Sequence, residues 1–311
     1  MTTRASYCIC IYCYRTSSTS FQMRLVRLYV LMWNCFTHIF AYIHKGYYLK
    51  YYINFMRILH LFSMAGVGEI LCKYGAGDKV LQLEQFDPFG FSDYYKVTEM
   101  FKDAQSLLKR AEDIQHEYDK IAIHDYSEFK QMFPKNKVIL IFHGTKLREM
   151  DQVEKSAVST YPSFVTTEDL LENLPTAKYL PAPIDLELFK DNGLEKGDDY
   201  FCINRSYQRK YIENVIKQKY PKVQYYERSH TNIIDYEDMP HFLEQHSNYV
   251  DMKFDYGKPE PKLLPHLSLT GLQAMAVGCT VWNGNGQVQD RNLLHIHDAR
   301  RVSQGFLKEF D

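Results

Sequence analysis

From Met56 onward, short apolar runs alternate with stretches whose apolar positions recur every three or four residues. "RILHLFS" (57–63) and "DKVLQLE" (78–84) are short and largely apolar, so they read as strands. "GEILCKYGA" between them reads as a short helix that stops at Gly75 or Gly77. The stretch "SDYYKVTEMFKDAQSLLKRAEDIQHEY" predicts one long amphipathic helix opened by Ser92 or Asp93. "KIAIHD" (120–125), a brief helix ending before Pro134, and "KVILIFHGT" (137–145) follow. "SFVTT" (163–167) then runs into a helix capped by Thr166 or Thr167, with Glu168 and Asp169 suited to its first turn. Strand and helix in steady alternation predict a parallel sheet covered on both faces, a Rossmann-like half.

"YLPAPIDLELFKDNGLEKGDD" (179–199) interrupts the rhythm with prolines and then a Gly- and charge-rich stretch, as a linker does. Alternation restarts with "YFCINRS" (200–206), a helix in "QRKYIENVIKQKY", a strand in "KVQYYERS", a helix around 237–246 and a strand in "YVDMKFD". A helix over about 268–277 and a strand in "CTVWN" complete the pattern. The chain therefore reads as α/β, with one Rossmann-like domain over 56–178, a linker over 179–199 and a second over 200–311. A cleft between two such halves is where ligands of parallel sheets bind.

Composition changes this picture only at the N-terminus. Of 311 residues, 45% are hydrophobic and 24% charged, with a net charge of −1, so nothing global points to nucleic acid. Residues 1–55, however, hold six Lys or Arg, no Asp or Glu, four of the seven cysteines and nine of the 25 tyrosines. The run "LVRLYVLMWNCFTHIFAYI" (25–43) is just long enough to span a bilayer but carries Arg27 and His38. Two readings stand: an extension outside the working fold, or a basic, aromatic segment lying on a membrane surface as a peripheral contact. "CICIYC" lacks the matched second pair that a zinc site needs. Cys72, Cys202 and Cys279 are widely spaced and form no disulfide framework, which fits a reducing, cytoplasmic setting.

Candidate chemistry collects at predicted strand ends. Gly66 and Gly68 in "SMAGVGE" sit between a strand and a helix, where backbone can approach an anion; tight strand-to-helix packing explains them about as well. His143, Gly144 and Thr145 end the strand in "IFHGT", placed to hydrogen-bond a sugar hydroxyl; a His that merely caps the strand is the alternative. His124 and Asp125 end a neighbouring strand and line the same edge. Arg205, Arg209 and Lys210 in "NRSYQRK" suit a diphosphate, though a solvated basic helix start reads equally well. In "LSLTGLQAMAVGCTVW", Ser268 and Thr270 open a helix able to receive a phosphate on its N–H groups, and the Gln273 amide lies one turn in, within reach of ribose hydroxyls.

Taken together and in order, these segments resemble the retaining family 4 glycosyltransferases of the glycogen-synthase-like superfamily, from Met56 to about Asn285. The most specific pieces are "YLPAPIDLELF" and "LTGLQAMAVGCTVW". The resemblance implies the GT-B fold and transfer of a sugar, with retention, from a nucleotide-sugar donor to a glycan, lipid or protein acceptor. It implies that Arg205 and Lys210 hold the donor diphosphate, that His143 stands beside the acceptor and that the Gly66–Gly68 loop lies near the donor phosphate. It also implies a reaction without metal or other cofactor, in keeping with the absence of any Asp-x-Asp triplet. Two family glutamates eight positions apart are replaced here by Pro265 and Gln273. That departure keeps a second function class open, a non-catalytic descendant that binds a nucleotide-sugar or glycan.

Overall fold

The computed structural model describes residues 56–205, 220, 222–228, 232–252, 254–255, 262–263 and 266–310. Residues 1–55, the helix expected in "QRKYIENVIKQKY", Lys210 and Pro265 lie outside the described residues. Met56–Asp311 forms one compact unit.

The first layer is a seven-stranded sheet in the order β3-β2-β1-β4-β5-β6-β7. Its strands are β1 (Ile58–Leu61), β2 (Lys79–Leu83), β3 (Thr98–Phe101), β4 (Lys120–His124), β5 (Val138–Phe142), β6 (Ser163–Val165) and β7 (Lys178–Tyr179). All pairs are parallel. The runs "ILHL" and "VILIF" are buried at every position, which only a sheet covered on both faces allows. On one face Leu59, Leu61, Leu81, Ile123 and Leu140 pack with Leu107, Leu108 and Ala111 of a helix over Ala104–Ile114. On the other, Ile58, Ala122, Ile139 and Ile141 pack with Val67 and Leu71, from a helix over Val67–Lys73, and with Val302 and Phe306 near the C-terminus.

In chain order the helices that matter below are α1 (Val67–Lys73), α2 (Phe91–Tyr95), α3 (Ala104–Ile114), α4 (Thr145–Glu149) and α5 (Gln152–Val158) in this first half. The long helix expected from Ser92 is instead α2, then β3, then α3. Gly90, at φ 72°, precedes α2, and Asp87 caps it by accepting from Phe91 N and Ser92 N, each at 2.8 Å. Lys96 takes a left-handed φ of 56°, which ends the helix after little more than one turn. Thr98–Phe101 then pair with β2 as an edge strand, and Asp103 opens α3 by accepting from Ser106 N at 2.8 Å. The helix expected after Thr166 is a single 3₁₀ turn, Glu168–Glu172, with no side-chain cap.

The second sheet has four parallel strands in the order β13-β10-β8-β9. They are β8 (Gly197–Arg205), β9 (Val223–Arg228), β10 (His246–Asp251) and β13 (Thr280–Asn283); β11 (Phe254–Asp255) and β12 (Lys262–Leu263) form a separate antiparallel pair. α6 (Met239–Glu244) and α7 (Leu269–Ala276) pack in its core, where Tyr249, Phe201, Leu243, Leu272 and Ala274 meet. After α8 (Leu293–His297), the chain leaves this half. α9 (Ala299–Lys308) lies on the first sheet with Phe306 against Phe164, so residues 200–311 do not all belong to the second layer.

Two chain segments thus cross between the layers, and they pair with each other. Ile184 N donates to His297 O at 2.7 Å and Ala299 N donates to Ile184 O at 3.0 Å. Next to this clasp, the fully buried Asp185 carboxylate accepts from Lys73 Nζ (2.7 Å), Tyr74 OH (2.7 Å) and Tyr95 OH (2.9 Å). Tyr95 OH in turn meets Tyr236 OH, in the second core, at 3.0 Å. The stretch read as a linker is therefore anchored in its first half, at Ile184 and Asp185. Burial would raise the Asp185 pKa, but the bonds from Lys73, Tyr74 and Tyr95 outweigh it and hold the carboxyl below its ordinary value.

Removing that carboxylate leaves the half-buried Tyr74 hydroxyl without this acceptor and Tyr95 with Tyr236 as its remaining partner. Asp185→Ala is expected to lower the unfolding free energy of the full chain by about 1–3 kcal/mol, the scale of leaving hydrogen-bonding groups unsatisfied. Equilibrium urea unfolding checks this, and a loss below about 1 kcal/mol contradicts it.

Candidate active site

In each parallel sheet the strand order reverses direction at one point, between β1 and β4 in the first and between β8 and β10 in the second. Crevices beyond the carboxyl ends of the strands at such points are the usual ligand sites. The strands β1 and β4 both end in backbone conformations that side chains rarely adopt. Phe62 has φ 59° and Ala65 φ 53° after β1, and Asp125 has φ 56° after β4. For a buried phenylalanine this is a true outlier, and such strain, on the order of 1–3 kcal/mol per residue, gathers at functional sites.

A cavity of about 600 Å³ opens beyond these ends. It is lined from the first half by Ala65 and Val67, by His143 and by Thr166–Asp169, and from the second by His266, Leu269 and Leu272, with His297 of α8 closing it. Asp169 joins the halves: it pairs with Arg148 of α4 and, at 3.3 Å, with His266 Nδ1. Burial pushes the Asp169 carboxyl up, yet Arg148 first, then Thr167 and His266, hold it below the usual range. His297 Nδ1 donates to Ala182 O at 2.8 Å, which fixes that ring. Among the described residues no group of three or more His, Cys, Asp or Glu is arranged to hold a metal ion.

His143 reaches the cavity at the end of a buried row of histidines. His60 Nε2 lies 3.0 Å from Ala76 O, His60 Nδ1 lies 3.0 Å from His124 Nε2, and His124 Nδ1 lies 2.9 Å from His143 Nε2. Register explains the row: His60 pairs with Ala122 and His124 with Ile141, so each next histidine sits two residues further on the adjacent strand, on the same face. His124 is fully buried, which corrects the expectation that it lines the ligand edge; it reaches the cavity only through His143. Burial lowers the His60 pKa to about 4. Burial first, then the neighbouring His143 and His60, drives His124 well below its ordinary value. The Asp125 carboxylate accepts from His143 N at 2.8 Å, and burial raises its pKa to about 6.

The glycine loop is explained largely by packing. A Cβ on Gly66, at φ 75°, would lie 2.1 Å from the Phe91 ring, and one on Gly68 would lie 3.0 Å from Ser63 Oγ. Gly68 N already donates to Ser63 Oγ at 2.9 Å. Ser63 Oγ in turn donates to the Glu69 carboxylate, and Thr98 Oγ1 donates to it from 3.3 Å. Burial raises the Glu69 pKa to about 7, against the pull of these bonds.

Ser268 caps α7, as its sequence position suggests, but the helix start already faces an anion. Asp251 accepts from Ser268 N at 2.7 Å and from Ser268 Oγ, and Gly271 N donates to Ser268 Oγ at 3.0 Å. These two amides are engaged within the protein rather than left for a phosphate. Leu269 and Leu272 of α7 line the cavity, Thr270 is half-buried, and Gln273 is buried in the helix away from the lining. Arg205 ends β8, opposite Arg228 of β9 in the ladder. Thr145 is the first residue of α4. The sequence reading overlooked His60, Glu69, Arg148, His266 and His297. It placed Asp169 only in a helix turn; the structure keeps it in a turn, Glu168–Glu172, but on the loop that follows the carboxyl end of β6 and lines the cavity.

No family model matches the sequence, and neither does any curated protein. Among solved structures, the chain is similar to AviGT4, a glycosyltransferase involved in avilamycin A biosynthesis. The two are 10% identical with a TM-score of 0.50, over 82% of this chain and 97% of that one. The fold is GT-B. Weaker similarity extends to an E. coli trehalose-6-phosphate structure bound with UDP-2-fluoro glucose (10% identity, TM-score 0.42, 81% and 90% covered). It also extends to the N-terminal domain of Candida albicans trehalose-6-phosphate phosphatase (9%, 0.42, 81% and 88%). Two Rossmann-like layers with a cleft between them, and a last helix that returns to the first layer, are the GT-B form of this chain.

Glu69 gives the site a pH signature. Its folded pKa of about 7 stands above the ordinary 4.5, so the folded state favours the protonated form. Its favourable contribution is complete below about pH 4.5 and is lost as pH rises through about 7. Glu69→Gln keeps the neutral form, so its stability relative to the native chain should improve by up to about 3 kcal/mol between pH 5 and pH 8. Urea unfolding at several pH values measures the difference, and a pH-independent offset contradicts it.

Proposed function

We propose that this protein is a glycosyltransferase that moves a sugar, with retention, from a nucleotide-sugar donor to a glycan, lipid or protein acceptor. One observation carries the reading: a cavity lies beyond the carboxyl ends of the first sheet and is lined on its other side by the start of α7. In this reading residues 56–178 supply the acceptor side and the second layer supplies the donor side. His143 and the side chains of Thr166, Thr167 and Glu168 meet hydroxyl groups, with the Arg148–Asp169–His266 set joining the two sides. Arg205, at the end of β8, and Lys210, which follows in sequence, neutralise the donor diphosphate. The leaving group is then stabilised by fixed cations, and no metal or other cofactor enters the reaction. A cytoplasmic setting belongs to the same proposal. Among the described residues no helix is long and apolar enough to cross a membrane, and residues 1–55 are the candidate for peripheral contact.

A second reading, a non-catalytic nucleotide-sugar or glycan binder, is favoured by two specific features. Pro265 and Gln273 replace the glutamates implied by the resemblance, and Asp251 occupies the α7 start. Nucleotide release separates the readings: a transferase frees the nucleoside diphosphate slowly from its donor, whereas a binder holds the donor intact.

Arg205→Ala and Lys210→Ala should each weaken nucleotide-sugar binding to the full chain by about 1.5–3 kcal/mol, the loss of one hydrogen bond to a charged group. Calorimetric titration with UDP-, GDP- and ADP-sugars measures this. Unchanged affinity in both variants contradicts the diphosphate assignment.

A further inference from the structure

The geometry points to His60 and His124 as positioning residues that lock His143 in one tautomer, with its proton on Nε2 and Nδ1 an acceptor. The buried end of the row sets the direction. Ala76 O is a carbonyl and only accepts, so His60 must donate to it from Nε2 across 3.0 Å. A neutral His60 then has an unprotonated Nδ1, which accepts from His124 Nε2. His124 is likewise left with an unprotonated Nδ1, which accepts from His143 Nε2. His143 therefore carries its proton on Nε2, and Nδ1 is its basic nitrogen.

The opposite direction fails at the far end. With the proton on Nδ1 of His143, every ring in the row must reverse, and His60 Nε2 would turn a lone pair toward Ala76 O. Two acceptors would then face each other across 3.0 Å in the core, too close for a water to lie between them. A doubly protonated His60 would escape the clash only by placing a cation in the core, and burial holds that ring neutral near pH 7. The seat itself is tightly built. A Cβ on Gly77 would lie 2.6 Å from His60 Nε2, and Phe306 of α9 packs 6.5 Å from the His60 ring. The His124 and His143 ring planes are 9° from parallel with centroids 5.1 Å apart, in keeping with a hydrogen bond that lies in the plane of both rings.

The consequence reaches the cavity. His143 can take up a proton at Nδ1 without reversing the row behind it, so it suits accepting from a hydroxyl, as a base must. That use rests on the glycosyltransferase reading; the tautomer does not, and it is measured without any ligand. The test is long-range ¹H–¹⁵N correlation spectroscopy of the ¹⁵N-histidine-labelled full chain at pH 7.5. The ladder predicts a protonated Nε2 and an unprotonated Nδ1 on His60, His124 and His143. In His60→Leu, where His124 Nε2 loses its acceptor, His143 should become a mixture of tautomers. Nδ1–H or an average of both forms on native His143 overturns the proposal, as does an unchanged tautomer in a folded His60→Leu protein. Should that variant fail to fold, the native spectrum alone decides. Donor titration of the same sample then separates the two questions: a locked tautomer with no donor bound leaves the ladder standing and removes the transferase reading.

Discussion

The buried carboxylate of Asp185 is the contact on which the arrangement of the two layers depends. It sits on the first chain crossing and accepts from the end of α1 and from α2, while Tyr95 passes the connection to Tyr236 in the second core. One residue earlier, Ile184 pairs with the second crossing at His297 and Ala299. Both passages between layers are therefore stitched at one place. A buried charge is costly unless paired and hydrogen-bonded, and here each carboxylate oxygen has donors. The same stitching sets where α8 ends, and with it the His297 wall of the cavity.

With the layers fixed, topology brings the polar groups to the cleft. Parallel strands all point their carboxyl ends one way, so the residues after β1, β4, β5 and β6 gather on one edge. The price of that convergence is local backbone strain at Phe62, Ala65 and Asp125, which the surrounding core maintains. Asp125 holds the His143 backbone, the histidine row holds its ring, and Asp169 links the two walls through Arg148 and His266. These are fixed dipoles and charges in a partly enclosed space, where they act more strongly than in water.

Much of the fold was legible because parallel strands are buried on both faces and leave uninterrupted apolar runs. "VILIF" and "KIAIH" can hardly be read otherwise. The stretch after Ser92 misled because β3 is a half-buried edge strand whose polar and apolar residues blend into the flanking helical periods. Only the left-handed Lys96 breaks it, and lysine gives no warning of that conformation. The histidine row was illegible for a different reason. It depends on which strands are neighbours and on their register, and neither is written in any local stretch around His60, His124 or His143. His124 looked like a site residue since it ends a strand; strand order buries it behind another histidine. Asp251 at the start of α7 was hidden likewise, seventeen positions upstream of its partner Ser268.

The proposed function requires that a nucleotide-sugar bind in the cavity shared by the two layers. Hydrogen–deuterium exchange of the full chain, with and without the nucleotide-sugar that binds most tightly, tests it most directly. Binding there slows exchange in the segments at 62–68, 143–149, 166–169 and 266–272, which line or support that cavity. Slowed exchange confined to other surfaces, or none at saturating UDP-, GDP- and ADP-sugars, would contradict it.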